Sequence, residues 1–100
     1  MDNKLIISPL ALKELEESSE WYEERVAGLG GRFVEVIYNS LTLVSVNPKA
    51  YPKKKAQYRE FVVDKFPYVI VFELVENENT IYVLHVFHTS RNPKFKYERK

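Results

Sequence analysis

The side chains best equipped for chemistry in this chain are Arg59, His88 and Arg91, with the run Lys53-Lys54-Lys55 ahead of them. A histidine acts as acid or base near neutral pH, and an arginine can hold a phosphate or a developing negative charge. Brought together, such a set suits phosphodiester chemistry; left scattered, it suits binding to something anionic. Other chemistries are poorly served. The chain has no cysteine, so thiolate metal sites, disulfides and thiol nucleophiles are absent. His85 and His88 sit three apart in a strand-like run, which sends them to opposite faces where they cannot share an ion. No Gly-x-Ser-x-Gly elbow occurs, and Gly28, Gly30 and Gly31 lack the Lys-Ser/Thr of a phosphate loop. No metal and no cofactor is implied.

Charge is distributed unevenly. Residues 1–48 hold 4 Lys and Arg against 8 Asp and Glu, and residues 49–100 hold 11 against 6, so the halves carry −4 and +5. The second half therefore suits an anionic partner, nucleic acid or acidic protein, although ordinary surface charge gives the same count. Glu14, Glu16, Glu17, Glu20, Glu23 and Glu24 crowd one segment. Acid–base catalysis needs one or two carboxyls tuned apart, so six alike are read as a solvated helix face.

One hundred residues, 45 % of them hydrophobic, make a single domain spanning 1–100 with one core. The longest apolar run, Tyr68 to Phe72, is far shorter than a membrane-spanning helix, and Met1-Asp2-Asn3-Lys4 has no signal-peptide character. A cytoplasmic protein is expected, with neither export nor membrane insertion.

The elements that must position these residues follow from periodicity. A strand over about 4–7 runs into Ser8-Pro9, a helix start, and a helix over about 9–27 repeats Leu12, Leu15, Ser19, Tyr22 and Val26 towards a core. The glycines 28, 30 and 31 reverse the chain into a second helix over about 32–46, with Phe33, Ile37, Leu41 and Val44 on one stripe. Pro48 to Gln57 reads as a basic loop. Strands follow over about 58–63, 68–75 and 80–88, their short connections making them antiparallel neighbours. The middle one is apolar at every position from Tyr68 to Phe72, as a strand covered on both faces would be. Residues 91–100 form a basic tail with two interleaved aromatics, for which disorder in the free chain is left open. The order β-α-α-β-β-β implies an α+β domain whose antiparallel helical hairpin covers one face of a mainly antiparallel twisted sheet.

With this layout, the stretches Tyr58-Arg59-Glu60-Phe61, Tyr68-Val69-Ile70-Val71-Phe72 and above all His88-Thr89-Ser90-Arg91-Asn92-Pro93 resemble the RelE/ParE toxin superfamily of type II toxin-antitoxin systems over nearly the whole chain. The last stretch matches a His-x-x-Arg-x-Pro phrase characteristic of ParE-like members. Ribonuclease members of that superfamily cut messenger RNA on the ribosome with several basic side chains on the concave sheet face. This chain departs from them: Phe61 stands two residues after Arg59, Val69 follows Tyr68, and Thr89 and Ser90 separate His88 from Arg91.

The resemblance therefore implies a ParE-like toxin causing growth inhibition, of the kind tied to plasmid stabilisation, which binds a target such as DNA gyrase without catalysis. Lys53, Lys54, Lys55, Arg91, Lys94 and Lys96 would make the target contacts. The alternative is a ribosome-dependent endoribonuclease using Arg59, His88 and Arg91; a further one is an inert interaction module of the same fold. The implied partner is a cognate antitoxin meeting Trp21, Tyr22, Arg25 and Arg59, with a homodimer or a toxin-antitoxin hetero-oligomer as the assembly.

Overall fold

A computed structural model describes residues 3–98 as seven regular elements: β1 Lys4–Ile7, α1 Pro9–Arg25, α2 Leu29–Val46, β2 Lys53–Lys55, β3 Tyr58–Val62, β4 Tyr68–Val75 and β5 Thr80–His88. The five strands form one sheet in the order β1-β5-β4-β3-β2. β1 runs parallel to β5, and every other pair is antiparallel. This is the α+β arrangement expected, with one strand more. The lysine run was read as loop because it has no apolar period. It is instead an exposed edge strand, paired as Lys53 with Arg59 and Lys55 with Tyr58. Charged side chains suit such an edge because they discourage further strand pairing.

Ser8 launches α1. Its Oγ accepts the N–H of Ala11 at 2.9 Å while Pro9 fills the first helical position, where a missing N–H costs nothing. The helix stops at Arg25, two residues short of expectation, and Gly28 takes a left-handed φ of +89° to turn the chain. α2 begins at Leu29, three residues earlier than read, because Glu23 caps it from the preceding helix. The Glu23 carboxylate accepts the N–H of Gly28 at 2.8 Å and of Gly30 at 3.0 Å. Gly30 also sits where the two helices pack closely; a Cβ there would stand 2.5 Å from the Ser19 carbonyl oxygen.

The core between hairpin and sheet takes Phe33, Ile37, Leu41 and Val44 from α2, as the stripe predicts, together with Ile70, Phe72, Ile81, Val83 and Val86. Fully burying a side chain of this size is worth roughly 1.5–3 kcal/mol, which explains how the domain dispenses with disulfides. The α1 stripe is rotated from the expected one. Ala11, Leu15 and Tyr22 pack inward with Glu14 beside them, whereas Leu12 and Val26 are exposed. Leu12 lies about 100° around the helix from Ala11, enough to exchange core for water.

β4 is buried from Tyr68 to Phe72, and its two faces differ in what covers them. The hairpin covers one. On the other, Val69 and Val71 join Tyr58, Leu84 and Phe87, and the tail lays Tyr97 over this cluster. The tail is thus packed through residue 98; Arg99 and Lys100 lie outside the described residues.

Candidate functional site

The far end of β5 is built around a missing neighbour. β1 stops at Ile7, opposite Val83, just where β5 carries an extra residue: Val71 pairs with His85 and Phe72 with Val83, leaving Leu84 as a bulge. Past that point two side chains satisfy the open edge of β5. Ser8 Oγ donates to the Leu84 carbonyl at 3.0 Å, and Glu14 Oε1 accepts the N–H of Val86 at 2.9 Å.

Glu14 does more than cap an edge. His85 Nδ1 donates to its Oε2 at 3.0 Å, and Arg91 Nη1 donates to the same oxygen at 2.6 Å. The other ring nitrogen, His85 Nε2, donates to the Glu98 carbonyl at 2.8 Å. Both ring nitrogens of His85 thus face oxygen acceptors. The Arg91 guanidinium also lies over the Phe87 ring, 4.5 Å from its centroid. One carboxylate on α1 thereby links helix, sheet edge and tail. Glu14 was read as one of six solvated glutamates; it is buried and bonded, because it lies on the same side of α1 as Ala11 and Leu15. Its position three after Ala11 and one before Leu15 was the available signal.

The tail-covered face has a second buried carboxylate. Glu60 accepts the Tyr97 hydroxyl and the Lys96 ammonium, the latter at 3.3 Å. Tyr97 stacks on Tyr58 with centroids 5.7 Å apart, and the Lys55 ammonium stands 5.7 Å from the Tyr97 ring. Burial first, then the hydrogen bond to Glu60 and its charge, push the Tyr97 phenol well above the ordinary tyrosine range. Neither Glu60 nor Tyr97 drew notice in the sequence, since one lies mid-strand and the other in the tail.

Of the three side chains named for cleavage, His88 and Arg91 line one pocket together with Lys13, and Arg59 does not join them. Arg59 pairs with Phe72 in register and His88 with Tyr68, four residues apart on β4, a separation of about 13 Å along the strand. Arg59 Nη1 donates to the Tyr51 carbonyl at 2.7 Å, and its buried Nε has no partner among the described residues. His88 packs edge-on against Tyr68 at 4.9 Å, on the helix side, and its Nδ1 accepts the Ser90 N–H at 3.0 Å. His85 lies on the tail side, so the two histidines do face apart. Among the described residues no group of three or more His, Cys, Asp or Glu could hold a metal ion.

The remaining candidates divide. Lys53, Lys54 and Lys55 are all exposed on β2, and Lys55 meets Tyr97, so the lysine run and the basic tail come to one end of the sheet. Lys94 is exposed; Lys96 and Arg91 are tied to Glu60 and Glu14. On α1, Trp21 is half exposed, with the Arg25 guanidinium stacked 3.7 Å from its ring centroid. Tyr22 is inserted beside it among Phe33, Phe66 and Tyr68, while Arg59 is remote from this group. Among the described residues no helix is long and apolar enough to cross a membrane.

Comparison with known proteins places these features in a family context. Residues 5–93 match the model of the ParE toxin of the type II toxin-antitoxin system parDE. No curated protein sequence matches significantly. Among solved structures, the chain is similar to the chromosomal ParDE system from P. aeruginosa, with TM-score 0.74, 15 % identity, and coverage of 88 % of this chain and 97 % of that one. The RelBE2 toxin-antitoxin complex from Mycobacterium tuberculosis gives TM-score 0.63, 13 % identity, and coverage of 88 % and 99 %. The intact E. coli RelBE complex gives TM-score 0.63, 20 % identity, and coverage of 89 % and 99 %.

Proposed function

The chain belongs to the ParE toxin family of type II toxin-antitoxin systems, and from that premise we propose that it arrests growth by binding an essential target such as DNA gyrase, without catalysis, until a cognate antitoxin neutralises it. The observation that carries this reading is the fate of the cations. Cleaving a phosphodiester requires positive groups converging on one phosphate. Here Arg59 is held by a carbonyl on the helix side, Arg91 is paired with Glu14, and the tail-covered sheet face has Glu60 buried in it. Among the described residues the lysine strand beside the tail is exposed along its whole length, which suits binding to an acidic protein surface.

The antitoxin reading draws on Trp21 and Arg25. A half-exposed tryptophan with a guanidinium on its face supplies rigid contact area of the sort interfaces use. Purified chain added in excess to a gyrase supercoiling reaction is expected to inhibit it, and Lys53→Glu with Lys54→Glu and Lys55→Glu is expected to relieve the inhibition. Supercoiling at full rate with wild-type chain in excess would exclude gyrase as the target. Specific messenger cleavage on ribosomes, lost on Arg59→Ala or Arg91→Ala, would instead establish the ribonuclease alternative.

A further inference from the structure

Two hollows beside α1 run into one another on the helix side of the sheet. The larger, of about 360 Å³, is lined by Lys13, His88 and Arg91 among others, and the smaller, of about 280 Å³, by Trp21 and Tyr22. Glu17, Ser18, Tyr68 and His88 line both, so the two form one cleft. Lys13, Glu17 and Trp21 follow at four-residue intervals, which puts a cation, a carboxylate and an aromatic ring in line over about 12 Å of helix. The polar groups between them are already oriented. Tyr68 donates its hydroxyl to Ser18 Oγ at 2.9 Å, which leaves the serine proton to be donated. His88 Nδ1 accepts the Ser90 N–H at 3.0 Å, which leaves Nε2 to carry the ring proton. Lys13 and Glu17 are exposed, and among the described residues neither they nor His88 Nε2 has a polar partner.

We propose that this cleft binds a 5′-phosphorylated ribonucleotide, with its phosphate at Lys13 and His88, its ribose hydroxyls at Glu17 and its base against Trp21. The ammonium and the imidazole N–H give the phosphate charge-assisted and neutral donors, and Arg91, though paired with Glu14, lines the same lobe. The carboxylate in the middle decides between classes of ligand. An acidic peptide reaching for Lys13 would set its own charge against Glu17, whereas ribose hydroxyls donate to a carboxylate. Glu14 adds little repulsion, being committed to Arg91 and to the Val86 N–H. The half-exposed Trp21 ring, steadied by Arg25 stacked on it, offers an aromatic surface that any base can use. The site only binds, making and breaking no bond, and it does not depend on which cellular target the toxin meets.

The test titrates the full chain with adenosine 5′-monophosphate while the fluorescence of Trp21, the sole tryptophan, is followed. A saturable change is expected, with adenosine and the 2′,3′-dideoxy monophosphate each binding about tenfold more weakly. Lys13→Ala, an exposed position that leaves the fold intact, is expected to cost a similar factor. Glu17→Ala, also exposed, is expected to erase the difference between the ribo and dideoxy forms while keeping the preference for phosphate. A 5′-phosphorylated trinucleotide that binds more tightly than the mononucleotide would assign the cleft to an RNA end; one that binds no better would assign it to a free nucleotide. Absence of saturable binding by both, or unchanged affinity in Lys13→Ala, would overturn the proposal. Inorganic phosphate binding as tightly as the nucleotide would reduce the site to an anion pocket and overturn the nucleotide. A capped acidic peptide, Ac-Asp-Ala-Leu-amide, that binds more tightly than the nucleotide would hand the cleft to a protein partner and overturn the proposal as well.

Discussion

Glu14 on α1 accepts the main-chain N–H of Val86 on β5 at 2.9 Å, across 72 residues of sequence. The carboxylate thereby stands in for the strand that β1 stops short of providing, while its second oxygen holds His85 and Arg91. A helix side chain completes a sheet edge, and through His85 the same carboxylate reaches the tail.

Removing that carboxylate strands a buried N–H and leaves His85 facing no charge. Glu14→Ala is expected to destabilise the fold by about 3–5 kcal/mol, the usual cost of breaking a buried pair from one side. Glu14→Gln keeps an acceptor for Val86 and is expected to lose less. Urea unfolding followed by circular dichroism measures both; equal midpoints for wild type and the alanine variant would refute the role given to Glu14.

Two adjacent glycines on α2 are expected to respond in opposite directions. A Cβ at Gly30 meets the Ser19 carbonyl at 2.5 Å, whereas one at Gly31 meets nothing within 4 Å. Gly30→Ala should therefore cost about 1–3 kcal/mol by prising the helices apart. Gly31→Ala should gain up to about 1 kcal/mol from helix propensity alone. Thermal melts of the two variants decide the matter, and a stabilised Gly30→Ala would contradict the close helix approach.

The phenol of Tyr97 links tail docking to alkaline pH. Its folded-state pKa lies above the ordinary 10.0, because of burial first and then its bond to Glu60. Above pH 10 the unfolded chain gives up that proton while the folded one keeps it, so unfolding is favoured as pH rises. The contribution is fully present below pH 10 and is lost above it. Stability curves from pH 8 to 12 should fall for wild type, and the fall should be shallower for Tyr97→Phe. Parallel curves would remove Tyr97 from the linkage.

Trp21 offers a test of the antitoxin surface that leaves the fold alone. Half exposed and, among the described residues, stacked by Tyr22 and Arg25, it contributes little to the core. Trp21→Ala is expected to change stability by less than about 1 kcal/mol, yet to weaken antitoxin binding about thirtyfold, the scale of an interface hot spot. Calorimetric titration with the cognate antitoxin gives the second number; an unchanged affinity would place the interface elsewhere.

Local pattern was enough for the sequence to determine much of the frame. Ser8-Pro9 starts a helix by capping and a fixed φ, the stripe Phe33-Ile37-Leu41-Val44 turns one face of α2 inward, and the unbroken run Tyr68 to Phe72 demands cover on both sides. Each of these is a property of residues within a few positions of one another. The family-like phrase from His88 to Pro93 was legible for the same reason.

What tertiary structure alone decided are the partners of single charged or aromatic side chains. Glu14 shares a helix face with Ala11 and Leu15, but the main-chain N–H it accepts is left open by the bulge at Leu84 and the early stop of β1. Lys53 to Lys55 become a strand because β3 offers an edge, and the tail is held through residue 98 because Glu60 and His85, distant in sequence, accept and donate to it. The cleft from Lys13 to Trp21 exists only once α1 lies beside Tyr68 and His88. Main-chain hydrogen bonds unsatisfied at a sheet edge, and carboxylates withdrawn from water, choose partners by proximity in space, which periodicity along the chain does not encode.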